Sequence, residues 1–189
     1  NPLKNKDSAT RKDDYLLDQS EVMSINGDGL VYHTETFSEN MVLNGEIKAS
    51  LSVSLSAADA DLEIQVSEIT ASGRSIHLAR DRTRLRYRDS LEEASLLPVG
   101  DIANVDFNGF FFIGKLLEKG SRLRVTITPV NSSTLQRNFQ TGGDINKENG
   151  KVGKNATVYV HNSEYHTSAI SFPLISEEDF DKKQTALKK

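Results

Sequence analysis

From Glu46 to Ala57 the chain alternates without interruption. Ile47, Ala49, Leu51, Val53, Leu55 and Ala57 occupy one parity, and Lys48, Ser50, Ser52, Ser54 and Ser56 the other. A β-strand sends successive side chains to opposite faces, whereas a helix would scatter these apolar residues around its circumference. The segment is therefore expected to be a strand with one buried and one wet face. A sheet with one apolar face must cover it with a second layer, so this single pattern already favours a layered β architecture.

The rest of the chain repeats the pattern in shorter pieces. Leu30, Tyr32 and Thr34 alternate with Val31 and His33 after the turn Asn26-Gly27-Asp28-Gly29. Leu62, Ile64 and Val66 alternate with Asp61, Glu63, Gln65 and Ser67; Leu123, Val125 and Ile127 alternate with Arg122, Arg124 and Thr126. Ile76 and Leu78 open an extended run that continues with Thr83, Leu85 and Tyr87 inward. Further strand signals lie at Val105–Phe107, at Val158 and Val160, and at Ile170, Phe172 and Leu174. Asn44-Gly45, Ser72-Gly73 and Lys119-Gly120 mark turns, and Pro129 and Pro173 belong at strand ends or edges. About eight or nine short strands joined by Gly and Asn turns predict an all-β antiparallel sandwich or jelly roll. Helix is expected only at Asp89–Leu96 and in the charged tail 176–189. The stretch Asn138–Asn155 is a long loop, and long loops are functional or mobile.

Composition narrows the function classes. Of 189 residues 37% are hydrophobic, enough for one core. The formal charge of −4 lacks the basic excess of a protein devoted to nucleic acid. No apolar run is long enough to span a bilayer as a helix. There is no Cys, which removes disulfides, thiolate metal sites and a Cys nucleophile, but is compatible with either redox compartment. The chain opens at Asn1 without an initiator Met and without an apolar signal segment, so the expectation is a piece processed or cut from something longer.

A search for chemistry finds little. Gly73-Arg74-Ser75-Ile76-His77 is the nearest string to a serine-hydrolase elbow, but it ends in His and reads as turn into strand. His33, His77, His161 and His166 fit no metal-ligand spacing; His161 and His166 read as loop histidines flanking a hairpin. Asp59 and Asp61 could contribute to a calcium site, though a bend with polar ends explains them as well. Phosphate-binding Gly loops are absent. No cofactor is expected.

Arg80, Arg82, Arg84, Arg86 and Arg88 share one parity of the extended run. Like charges on one strand face repel unless answered. Three readings stand: pairing with Asp61, Glu63 and Glu68 or with a second domain, binding of a ligand carboxylate, or a solvated face. Arg82, Arg84, Arg86 and Arg88 are therefore the candidate interdomain or ion-pair face, since the planar guanidinium meets carboxylates bidentately. Four of the eight Phe residues cluster at Phe107–Phe112, as core residues would.

Several strings, in order, resemble the C-terminal domain of the X-Pro dipeptidyl-peptidase and cocaine-esterase family of serine hydrolases. They are Asp28-Gly29-Leu30-Val31-Tyr32, Leu43-Asn44-Gly45, Ala58-Asp59-Ala60-Asp61-Leu62, Gly73-Arg74, Leu78-Ala79 and Leu85-Arg86-Tyr87-Arg88-Asp89-Ser90. Lys119-Gly120-Ser121-Arg122-Leu123-Arg124-Val125, Asn138 with Thr141-Gly142-Gly143, and Thr157-Val158-Tyr159-Val160-His161 complete the set. Ala60 and Ser121 depart from the family pattern. The resemblance spans about Asp28 to Ile175.

The resemblance implies a galactose-binding-like jelly roll with no catalytic residue of its own, because the family's Ser, Asp and His lie on an N-terminal α/β-hydrolase domain. It implies a linker at 1–25, the sandwich at 26–175 and a tail at 176–189. The implied partner is that α/β-hydrolase domain of the same polypeptide, with homo-oligomerisation a further expectation and no nucleic acid. The implied role is to pack on the catalytic domain and shape its cleft. The competing reading is a stand-alone carbohydrate-binding module, which the absence of Trp disfavours.

Overall fold

The computed structural model describes residues 29–130, 135–148 and 151–187. The linker expected at 1–25 and the turn at 26–28 lie outside the described residues. Eleven strands and one helix are found among the described residues. β1 (Leu30–His33), β8 (Arg122–Pro129), β4 (Asp61–Ile69) and β5 (Ser75–Arg84) form one antiparallel sheet in the order β1-β8-β4-β5.

The facing layer is built from three interrupted segments. β2 (Met41–Gly45) runs into β3 (Lys48–Leu55), β6 (Ala103–Phe107) into β7 (Ile113–Leu117), and β10 (Ala169–Ser171) into β11 (Leu174–Ser176). β2 pairs with β7 and β11, and β3 pairs with β6 and β10, so each segment keeps its neighbours across the break. A bond from Asn44 N–H to Pro173 C=O (3.0 Å) carries the pairing through the interruption. β9 (Val158–His161) adds to β3 beyond β10.

Period-2 burial closes the two layers on one core. Leu62, Ile64, Val66, Leu123, Val125 and Ile127 from the first sheet meet Leu43, Leu51, Val53, Val105, Phe107 and Leu117 from the second in one cluster. The architecture is an all-β antiparallel sandwich. The tail forms α1 (Glu177–Leu187). Ser176 Oγ accepts from Asp179 N–H (3.2 Å) as its N-cap, and three acidic residues sit in the first turn where the helix dipole favours them.

Four expectations are corrected. Residues 89–96 are not helical: Ser90 Oγ accepts from Glu92 and Glu93 N–H as a cap would (both 3.2 Å), but no helical turn follows. The arginine run does not stay extended, because β5 ends at Arg84 and Leu85–Tyr87 is a 3-10 turn with Leu85 buried. The serine face of β3 is not wet: Ser52 and Ser54 are buried under His161 and the loop after it. The phenylalanine cluster divides: Phe107 and Phe110 are core, but Phe111 is 84% and Phe112 65% exposed.

Truncation should separate these two kinds of Phe. Phe107→Ala is expected to cost about 3–5 kcal/mol in urea unfolding, and Phe111→Ala less than about 0.5 kcal/mol. Equal losses would contradict the assignment of Phe107 to the core and Phe111 to the surface.

Candidate functional site

The antiparallel register places Asp61 opposite Arg84, Glu63 opposite Arg82 and Gln65 opposite Arg80. Directly opposed residues share a face, so the β5 arginines meet the carboxylates of β4 without any rearrangement. Arg82 Nε donates to Glu63 Oε2. Arg84 grips Asp61 with both ends of its fork, Nε to Oδ1 at 2.8 Å and Nη2 to Oδ2 at 2.9 Å. The hydrogen bond to Asp61, and then its charge, raise the Arg84 pKa above its ordinary value, so this group is always a cation. Glu68 is not an arginine partner: it lies buried at the far end of β4, 3.6 Å from Lys115 Nζ on the opposite layer.

Arg86 is placed differently. The 3-10 turn swings it off the sheet edge and beneath the chain, where its side chain is 7% exposed. There it donates from Nε to Asp59 Oδ2 (2.7 Å), whose side chain has no exposure, and its own backbone N–H reaches Asp59 Oδ1 (3.1 Å). Asn138 Nδ2 bridges Asp59 Oδ2 (2.8 Å) and Asp61 Oδ1 (2.7 Å). Arg86 Nη1 donates to Gly143 C=O (2.8 Å), and Arg84 Nη2 to Gln136 C=O (2.9 Å). The long loop is thus fastened to β4 and β5 at three points. Gly142 makes this possible: its φ is +81°, and a Cβ there would lie 2.8 Å from Ala58 Cβ. Arg88 donates to Ser95 C=O (2.6 Å) and Leu85 C=O (3.2 Å), clipping the segment after the turn.

These contacts leave Asp59 and Asp61 committed to guanidinium and amide donors. No group of three or more metal-ligating side chains occurs among the described residues.

Ser75 opens β5 after the Thr70–Arg74 turn and accepts from Arg124 Nη2 (2.6 Å), so the Gly73–His77 string is a hairpin and not an elbow. One Ser–His contact escaped sequence reasoning, because its members are 107 residues apart: Ser54 Oγ lies 2.8 Å from His161 Nε2. Ser54 is buried, and among the described residues no carboxylate is hydrogen-bonded to His161, so the orienting third group of a nucleophile–base–acid set is missing. His166 lies near it, ring centroids 6.2 Å apart.

A second surface feature adjoins β5. Asp81 points toward the core side at the sheet edge, opposite Ile64, and its Oδ2 accepts from Gly109 N–H (2.7 Å). A Cβ at Gly109 would meet Asp81 Oδ1 at 2.6 Å, so a larger residue would have to displace the Asp81 carboxylate. Phe110 is buried beside the anchor, and Phe111 and Phe112 project from it. The result is a fastened loop with two exposed aromatic side chains next to the arginine strand.

Comparison with known proteins accounts for a site without catalytic machinery. The model of the X-Pro dipeptidyl-peptidase C-terminal non-catalytic domain matches residues 3–171. The chain belongs to this family. A relative is the cocaine esterase of Rhodococcus sp. (strain MB1 Bresler), 30% identical over 148 residues that make up 78% of this chain and 26% of the esterase. Two solved structures share the fold at 23% identity and a TM-score of 0.75. One is an aminopeptidase from a marine sediment Thaumarchaeota archaeon (86% of this chain, 28% of that one). The other is an α-amino acid ester hydrolase (84% and 27%). The chain spans about a quarter of the length of these relatives.

The two kinds of arginine should respond differently to truncation. Arg86→Ala strands a buried Asp59 carboxylate and is expected to cost about 3–5 kcal/mol in urea unfolding. Arg82→Ala removes a partly solvated pair and should cost about 0–1 kcal/mol. An Arg86 variant no weaker than the Arg82 variant would contradict the fastening role.

Proposed function

We propose that this domain is the non-catalytic C-terminal part of a serine hydrolase of the dipeptidyl-peptidase or acyl-esterase type. It packs on an α/β-hydrolase domain of the same polypeptide and walls part of the substrate cleft. The parent cleaves an ester or amide through an acyl-enzyme formed on the other domain, and this domain contributes shape.

The observation that carries the reading is the Phe111–Phe112 tip. Two adjacent phenylalanines held in water by a fastened loop are unfavourable for a domain that lives alone, and such patches mark interaction surfaces. Aromatic and arginine side chains are the types enriched where proteins meet, and Arg80 and Arg82 flank the Asp81 anchor of this tip. Rigid anchoring lowers the entropy lost on docking. A stable interface would bury on the order of 800 Å² on this side, more than two side chains supply, so the β5 edge takes part. The family membership and the quarter-length span of the relatives support the same reading, because the remaining three quarters of those chains must hold the chemistry.

The test is photo-cross-linking in the parent polypeptide. A benzophenone side chain in place of Phe111 is expected to form an adduct with the α/β-hydrolase domain; one in place of the exposed Tyr159, on β9 across β3 from β6, is not. Adducts from position 159 alone would overturn the assignment of the docking face.

A further inference from the structure

The outer side of the first sheet ought to be wet, and part of it is not. Its core side is set by Ile64, Val66, Val125 and Ile127. By register, Val31, Thr126 and Gln65 form one row on the opposite side, and His33, Arg124 and Ser67 the next. The outward rows of a two-layer sandwich normally face solvent. The edge strand β1 reverses this rule. Its core-side Tyr32 is 52% exposed, whereas its outward Val31 is 4% exposed. Val31 and the outward Ile69 are buried hydrophobics that do not belong to the core cluster, and Thr126 is buried beside Val31.

The described elements do not supply the cover. On its own face Val31 is flanked by Gly29, His33 and Thr126. A glycine, an imidazole and a threonine leave a valine on an edge strand open. The second sheet lies on the opposite side, and α1 packs on β11 and β2 of that layer. The long loop reaches the outer face only where Arg84 holds Asp61 and the Gln136 carbonyl. Val31 is four residues along and two strands across from Asp61, roughly 16 Å away.

Charge indicates what kind of cover fits. From the Gln65 row onward, the ionisable side chains that these four strands turn outward are His33, His77, Arg80, Arg122 and Arg124. None is acidic. The histidines register the field: burial and then Arg122 and Arg124 lower the His33 pKa, and burial and then Arg80 lower that of His77 against the opposing pull of Glu63. An apolar floor set among cations suits an acidic segment with apolar residues of its own.

We infer that residues 13–28 of this chain lie across the outer face of the first sheet as a third layer, covering Val31 and Ile69. The stretch that the family resemblance implies to be a linker is then part of the domain. Its composition matches the face. Asp13, Asp14, Asp18, Glu21 and Asp28 are acidic, no Lys or Arg is present, and Tyr15-Leu16-Leu17 and Val22-Met23 supply apolar area. Its point of entry also matches. Gly29 sits so close to this sheet that a Cβ would lie 2.5 Å from Thr128 Cγ2, and Asn26-Gly27-Asp28-Gly29 has the composition of a chain reversal. Extended, the segment spans up to ~50 Å, against roughly 15 Å across four strands. The match to the family model begins at residue 3, upstream of this segment. The inference does not rest on the docking face proposed above, because the cover is measurable in this chain alone. It closes the outer face to the α/β-hydrolase domain and leaves the β5 edge and the Phe tip for that partner.

The chain has no Cys, so one Cys in place of Ser20 carries a nitroxide label on the full 189-residue chain without side reactions. The methyl resonances of Val31 and Ile69 are expected to lose most of their intensity. Those of Leu116 and Ile175, which share the outer side of the second layer with Val42, should lose far less. If Ser20→Cys does not fold, Gln19→Cys serves as the label site. Replacing Asp13, Asp14, Asp18 and Glu21 together by Lys should restore the Val31 and Ile69 signals, and added salt should restore them in part. Full intensity at Val31 and Ile69 in the labelled chain, or equal losses on both layers, would overturn the third layer. Broadening that survives the four Lys substitutions would overturn the role of charge in it. In a mixture of labelled chain with isotope-enriched, unlabelled chain no broadening is expected; broadening there would make the cover a second copy and refute the inference.

Discussion

The contact on which this domain turns is the buried pair of Asp59 and Arg86. Each is costly to bury alone, and each is tolerable because the other is there, with Asn138 on Asp59 and the Gly143 carbonyl on Arg86 Nη1. Asp59 lies just before β4, Arg86 just after β5, and Asn138 and Gly143 on the long loop. One cluster therefore fixes the end of a hairpin and the path of a loop that has no strand to hold it. Without it, residues 135–148 would keep mainly local and solvent-exposed bonds to order them.

Several of the strings that carry the family resemblance meet in this one cluster. The strings around Asp59, Arg86, Asn138 and Gly142 are distant in sequence and individually weak. In the fold they are a single network of charge-assisted hydrogen bonds around a glycine with a positive φ. Removing one member of such a network leaves its buried partners unpaired, which costs more than the single bond lost. Its members are spent on architecture, and what they hold in place is a surface: the arginine edge of β5, and beside it the phenylalanine tip anchored through Asp81. On the reading proposed above, the domain acts by presenting these faces to a catalytic domain of the same polypeptide.

Legibility in the sequence followed the physics of each element. β3, β4 and β8 alternate strictly, so their core faces were readable. Arg82 and Arg84 were readable as partners of Glu63 and Asp61 because hairpin register puts them opposite. Arg86 kept the same parity in the sequence but left the strand when Leu85 turned into the core, a tertiary choice that alternation cannot report. Phe111 and Phe112 looked like core because a run of consecutive apolar residues has no period to reveal which side is wet. Ser52 and Ser54 looked wet because the segment that covers them arrives more than a hundred residues later. The bulge between Val66 and Ser67 shifts the pairing of β5 past Leu78, and this accounts for the change of parity between Ile76 and Thr83.

The central claim is that this chain is a scaffold without reactive machinery of its own. Hydrolysis of p-nitrophenyl acetate and of an X-Pro anilide by the purified 189-residue chain tests it directly. The account predicts a rate equal to buffer for both substrates, with no change in Ser54→Ala. Saturable turnover by the wild-type chain that disappears in Ser54→Ala would contradict it.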